Sequence, residues 1–180
     1  MKYSRYTQVE SFLPIMQKKG KILDLGCGQC IHSKQLIDLG YNVTSVDVRA
    51  RSKYPDIIPI IYDGKRLPFA DNTFDTCLII AVLHHTTNPE LVLREALRVS
   101  RRLIIREDIY SNVFQKRYVY HLDSLLNKEF FRNPHSNKKD QEWRDLFKKL
   151  QLRVENADYF RSWGWLQNVD YCLAKTMSSN

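Results

Sequence analysis

The stretch that most restricts this chain is Lys21-Ile22-Leu23-Asp24-Leu25-Gly26-Cys27-Gly28-Gln29-Cys30. Ile22, Leu23 and Leu25 form a short apolar run that suits a buried strand of a parallel sheet. The run breaks into Gly26-Cys27-Gly28 and passes into a helix-like segment closed by Gly40, where a C-terminal glycine cap belongs. Strand, glycine turn and helix are the layout of a nucleotide-type cofactor site. Glycines let backbone approach a ligand without a Cβ clash, and a helix N-terminus offers N–H groups with no partner in the helix.

The residues around the turn narrow the ligand. Dinucleotide turns usually read Gly-x-Gly-x-x-Gly, whereas the sixth position here is Ile31. Asp24, just before the turn, would repel a pyrophosphate and favour a cation, such as the sulfonium and ammonium of S-adenosylmethionine. Asp47 closes a second apolar strand, where a carboxylate can accept from both hydroxyls of a ribose.

With these residues in view, Asp24-Leu25-Gly26-Cys27-Gly28 resembles the first motif of class I S-adenosylmethionine-dependent methyltransferases. Val46-Asp47 resembles their acidic ribose-binding motif, and Asp63-Gly64 through Leu67-Pro68-Phe69 their adenine-side motif. Phe74-Asp75 followed by Ile79-Ile80-Ala81-Val82-Leu83-His84-His85 is similar to their fourth motif. The likeness runs from about Lys21 to Glu107. It departs at Cys30, which stands where a third glycine is usual, and at Ser100-Arg101-Arg102, which replaces a lysine-proline-glycine-glycine turn. Neither departure removes an acid that would hold the ligand.

The resemblance implies one α/β domain over residues 1–180, Rossmann-like. Its sheet is expected to be mainly parallel and seven-stranded, with an antiparallel last strand and helices on both faces. An N-terminal helical segment over 1–20 and a helical, substrate-side insertion over 110–150 would frame it. Asp24, Gly26, Cys27 and Gly28 are expected to hold the methionine side of S-adenosylmethionine. Asp47 would hold the ribose, Asp63 the adenine, and Ala81, Val82 and His85 the pocket wall, with Val48 and Gly64 also expected against the cofactor.

Composition adds limits. The 180 residues, 43% of them apolar, suffice for one full core. No run approaches the ~20 apolar residues a membrane helix needs, and Met1-Lys2-Tyr3-Ser4-Arg5-Tyr6 lacks a signal-peptide core, so a cytoplasmic location is expected. The four cysteines make no disulfide framework, and Cys27-Gly28-Gln29-Cys30 reads as small residues packed around a turn rather than a redox or metal motif. The net charge of +8 is compatible with an RNA substrate without requiring one, because solvated basic helix faces account for it more readily.

Along the rest of the chain, strands are expected at Asn42–Val46, Ile57–Tyr62, Phe74–Val82, Arg102–Glu107, Leu152–Phe160 and Val169–Lys175. Asn88-Pro89 opens a helix as cap and first residue, with Val92, Leu93, Ala96, Leu97 and Val99 inward. A second helix runs from Gln141 to Leu150, and Phe114 and Tyr118 fall at the spacing of a helix that covers apolar surface. His84 and His85, at the carboxyl end of the central strand, are candidates to take a proton from the acceptor or to shape the pocket. Tyr6, Glu107, His121 and His135 are candidate substrate contacts. Asp108 stands beside Glu107 as a contact or a helix cap, and no metal is expected. The acceptor is expected to be a small molecule, with RNA second and a non-catalytic partner subunit third; the oligomeric state is open.

Overall fold

The computed structural model describes residues 9–16, 20–118, 121, 136–162 and 166–176. Seven strands form one sheet: β1 (Lys21–Leu25), β2 (Asn42–Asp47), β3 (Ile60–Ile61), β4 (Phe74–Ile80), β5 (Ser100–Ile109), β6 (Leu152–Ser162) and β7 (Leu166–Lys175). Their order is β3-β2-β1-β4-β5-β7-β6. The strands from β3 to β5 pair in parallel, and β7 runs antiparallel to both β5 and β6. The order reverses at β1, so the carboxyl ends of β1 and β4 flank the crevice where open α/β sheets receive ligands.

Alternation along the strands divides the core into two layers. Leu23, Cys77, Ile79, Leu103 and Ile105 face one layer, which α2 (Pro89–Val99) and α3 (Asp140–Lys149) cover through Leu93, Ala96, Trp143 and Phe147. Ile22, Leu78, Ile80 and Ile104 face the other, closed by Leu36 of α1 (Ile31–Asp38) and by Val9, Phe12 and Met16. Single helices supply those layers because their apolar residues recur at the spacing of one helical face.

Local chemistry sets the helix ends. Gly40, at φ +83°, lets Tyr41 N–H donate to Leu36 and Gly40 N–H to Ile37, the paired bonds of a glycine-terminated helix. Pro89 starts α2, and Asn88 Oδ1 accepts from Leu91 N–H at 3.1 Å. Replacing Asn88 with alanine is expected to cost about 1 kcal/mol and lower the melting temperature by about 2–4 °C, read by thermal denaturation.

Several sequence-derived boundaries move. The third strand shrinks from Ile57–Tyr62 to two residues, because only Ile60 and Ile61 pair with β2 and Pro59 has no N–H to give. The fourth ends at Ile80, since Ala81 turns to φ +54°. The fifth lengthens from Arg102–Glu107 to Ser100–Ile109, taking in Asp108. Strands six and seven extend to Ser162 and back to Leu166. In the N-terminal segment the described residues 9–16 form turns and a 3-10 helix at Leu13–Ile15, with Pro14 in its first turn. Residues 113–118 are helical, but Phe114 is 83% exposed and covers no core. Tyr6, His135 and Trp163-Gly164-Trp165 lie outside the described residues.

Candidate functional site

The glycine turn is fastened to the end of β2. Gly26 and Cys27 N–H groups both donate to Val46 O, at 2.8 and 3.1 Å. Gly26 and Gly28 sit at φ +76° and +52°, a region costly for residues with a Cβ. A Cβ on Gly28 would meet nothing within 4 Å, so the turn borders open space. A Cβ on Gly26 would instead lie 2.5 Å from Val82 Cγ2. Val82 therefore stands directly over the turn.

Asp47 is braced from both sides. Its Oδ2 accepts from Gly28 N–H at 2.8 Å, its Oδ1 from Arg49 N–H at 3.0 Å, and its carbonyl from Tyr62 N–H at 3.1 Å. One aspartate thus ties the glycine turn, the end of β2 and the end of β3 together. Beyond β3, Asp63 Oδ1 accepts from Lys65 and Arg66 N–H groups at 2.8 and 2.9 Å, and these backbone bonds hold its carboxyl below the usual carboxylate range. Gly64, at φ +75°, brings its backbone against Val48, whose Cγ1 lies 3.4 Å from a Cβ placed there. Asp63 and half-exposed Val48 face solvent at this rim.

Asp24 lies beneath the turn, 2% exposed. Ser33 Oγ of α1 donates to its Oδ2 at 2.5 Å, and Ser45 Oγ of β2 donates to Ser33 Oγ at 2.8 Å. Burial pushes the Asp24 carboxyl up to about 6 against the lowering effect of the Ser33 bond. A nearly dry carboxyl group held by Ser33, with no cation beside it among the described residues, carries charge at an energetic cost.

At the end of β4, Ala81 N–H donates to Arg106 O at 2.8 Å and a 3-10 turn follows at Leu83–His85. His84 is fully buried, with Nδ1 2.5 Å from Glu107 Oε2. His85 is half-buried, its ring centroid 4.0 Å from that of His84.

These positions correct three expectations. His84 is not presented to an acceptor: it is sealed against β5. Glu107 is likewise fully buried, and its carboxylate accepts from Val82 and Leu83 N–H groups, so it faces the protein rather than a substrate. Asp108 does not stand at a helix start: it lies within β5 and accepts from Asn168 Nδ2. His121 is exposed. Cys27 and Cys30 are free and buried, with sulfurs 3.5 Å apart, and burial drives the Cys27 thiol far above its ordinary range. The pair packs with Tyr54 and Ile57, as two small residues around a turn would. Among the described residues no three His, Cys, Asp or Glu side chains gather as a metal site, and no helix is long and apolar enough to cross a membrane.

Sequence reasoning did not find the Ser33–Ser45 bracket or the Glu107 contacts. Ser45 is the register partner of Asp24 across β1 and β2, a relation visible once those strands are paired. Ser136 gave no signal. Its N–H donates to His84 O at 2.8 Å, across half a hundred residues of chain.

Residues 23–103 match the family model described as a methyltransferase domain. Over nearly the whole chain the fold superposes on a putative methyltransferase from Bacillus halodurans, with TM-score 0.71 and 13% identity, covering 94% of this chain and 99% of that one. The chain carries a domain of the class I methyltransferase fold. A second methyltransferase, 1,6-didemethyltoxoflavin-N1-methyltransferase of Burkholderia thailandensis, was solved with 1,6-didemethyltoxoflavin and S-adenosylhomocysteine bound. It gives TM-score 0.73 at 15% identity, over 96% of this chain and 77% of that one. In sequence, the demethylmenaquinone methyltransferase of Paenarthrobacter aurescens is 36% identical over 96 residues, 48% of this chain and 38% of that protein. The chain spans about half the length, or less, of the curated relatives it matches.

Proposed function

We propose that this protein is an S-adenosylmethionine-dependent methyltransferase acting on a small-molecule acceptor. The observation that carries the reading is the joint geometry of Asp24, Gly26, Gly28 and Asp47, gathered by short bonds at the switch point of a methyltransferase-type sheet. The residues fit the cofactor: an open cradle over Gly28, a buried acid suited to a cation, and an acid at the end of β2.

When bound, S-adenosylmethionine supplies a methyl carbon on a sulfonium, which an acceptor takes by in-line displacement. In this reading Gly26, Cys27 and Gly28 lie against its methionine portion, with Asp24 supplying negative potential from beneath. Asp47 accepts from the ribose hydroxyls, Val48 and Gly64 flank the adenine, and Asp63 accepts from its amino group. Ala81, Val82 and His85 wall the pocket. Because the leaving group is already activated, the protein's contribution is mainly orientation and proximity. His85, half-buried and part of the pocket wall in this reading, is the histidine placed to accept a proton there.

The small-molecule acceptor is supported by the relatives named demethylmenaquinone methyltransferase and by the neighbour solved with didemethyltoxoflavin. RNA is the weaker reading, because part of the basic excess is already paired with acids of the same chain at its surface. Arg101 lies near Asp75, Arg102 pairs with Glu155 and Lys149 with Glu90.

Calorimetric titration with S-adenosylmethionine and S-adenosylhomocysteine tests the proposal. Wild type is expected to bind both, and Asp47→Ala to lose about 1–3 kcal/mol of binding, the cost of hydroxyls left without their acceptor. Absence of binding by wild type sinks the enzyme reading and favours a partner subunit. A salt-sensitive affinity for tRNA would move the acceptor to RNA.

A further inference from the structure

The turn after β4 is the pocket wall nearest the glycine cradle, and it is held in a conformation it would not choose. Ala81 lies at φ +54°, which costs a residue with a Cβ on the order of 1 kcal/mol and persists only where the surroundings over-determine it. Val82, the next residue, stands where its methyl groups would come within 3 Å of any Cβ on Gly26. A small shift of this backbone would therefore raise or lower the roof of the cradle.

One side chain over-determines the turn. Glu107 Oε1 accepts from Val82 N–H at 3.1 Å and from Leu83 N–H at 2.7 Å, and its Oε2 lies 2.5 Å from His84 Nδ1. Three consecutive residues are thus gripped by a single carboxylate, fully buried and rooted in β5. Its neighbour in that strand adds Arg106 O as acceptor for Ala81 N–H. The turn is reached from its far side as well. Ser136 N–H donates to His84 O, and Lys138 pairs with Ile109 at the end of β5. A buried acidic side chain with every contact aimed at loop backbone and one imidazole is an unusual use of a strand position. An apolar residue would serve packing better.

We propose that Glu107 is a positioning residue for the cofactor pocket: it fixes Val82 over the glycine turn and so sets the affinity for S-adenosylmethionine. This inference rests on the methyltransferase reading above. Glutamine at 107 keeps the size but gives up the carboxylate: its one oxygen accepts from the Val82 and Leu83 N–H groups more weakly than a charged acceptor does, and its NH2 group can no longer accept from His84 Nδ1. The strained turn is then free to relax, and the wall loses its fixed height.

The test compares wild type, Glu107→Gln, Val82→Ala and the double variant, by calorimetry with S-adenosylhomocysteine and by thermal unfolding. Glu107→Gln is expected to bind about tenfold more weakly, the loss matching a hydrogen bond to a charged group, while the folded fraction at 25 °C stays complete. Val82→Ala removes the roof directly and should lose a similar factor. Because both act through the same wall, the double variant should lose much less than the product of the two. With the acceptor in hand, the loss in Glu107→Gln should appear in KM for the cofactor more than in kcat. Wild-type affinity in Glu107→Gln, or losses that multiply independently, would overturn the proposal. A wild type that binds neither ligand would overturn the methyltransferase reading instead.

Discussion

Alanine at position 26 is expected to lower the stability of the protein by about 2–4 kcal/mol and to abolish measurable cofactor binding. Two costs combine. The backbone at Gly26 has φ +76°, where a Cβ is strained whatever the space around it. The new methyl group would also lie 2.5 Å from Val82 Cγ2 and 2.9 Å from Cγ1. Val82 cannot retreat cheaply, because its N–H and the next are bonded to Glu107 and its predecessor to Arg106 O. For a chain of this size the melting temperature should fall by about 5–15 °C. Calorimetric titration and thermal melting read the two effects separately. A Gly26→Ala protein that melts and binds like wild type would show that the turn is not the cradle. Gly28→Ala makes a useful contrast, since its Cβ would enter open space and strain alone would be felt by the fold.

Asp24→Asn is expected to do the opposite to stability while still damaging binding. Burial lifts the Asp24 carboxyl from 3.8 to about 6. Below both values the folded and unfolded chains hold the proton alike, and Asp24 adds no pH dependence. Between them the unfolded chain releases the proton and the folded chain keeps it, so stability falls as pH rises. Above about 6 the full penalty, about 3 kcal/mol, is in place. Asparagine keeps an oxygen for Ser33 and carries no charge. The ligand-free variant should therefore melt about 3–10 °C above wild type at pH 8, and the advantage should vanish near pH 4. Binding should move the other way. Wild-type affinity for S-adenosylmethionine is expected to rise as pH climbs through about 6, because the ionised carboxylate is the form that attracts a cation. Asp24→Asn should bind at least about tenfold more weakly at pH 8. A variant that is less stable than wild type at pH 8, or binds as tightly, would refute this account of Asp24. A residue that weakens its own fold in order to hold a ligand is what a binding site, rather than a core, retains.

The glycine turn could be read from the sequence because backbone geometry there leaves few choices: two positive-φ positions demand residues without a Cβ. Strand β4 was equally visible, since a strand covered on both faces must be apolar at nearly every position. Strand β5 was cut short for the same reason in reverse. The charged run Arg106-Glu107-Asp108 put the expected end at Glu107, yet Arg106 is paired with Asp170 at 2.6 Å, Glu107 with the turn after β4, and Asp108 with Asn168, and the strand runs on to Ile109. Those partners lie more than twenty residues away in the chain, and no local pattern reports them. Ile57 to Tyr62 misled in the other direction. Its apolar character suited a long strand, but the pairing partner β2 offers register for only two residues.

The acceptor side was the least legible part. Its candidate residues were chosen by type, and the histidine and glutamate that looked most reactive, His84 and Glu107, turn out to face one another in the interior, 2.5 Å apart. Position beside a catalytic edge does not make a side chain available. Exposure decides that, and it is a property of the whole fold.

The brevity of β3 matters outside the site. It is the rim strand of a seven-stranded sheet, and Ile58, Ile60 and Ile61 stand 85%, 41% and 50% exposed along it. A long, sticky rim of that kind would invite strands from other molecules to add on, the first step toward fibrillar aggregates. Two paired residues make too short a template, and Pro59 removes one of the donors an incoming strand would seek. The fold thus keeps a greasy border at one end of its sheet while denying it the backbone groups through which chains would stick together.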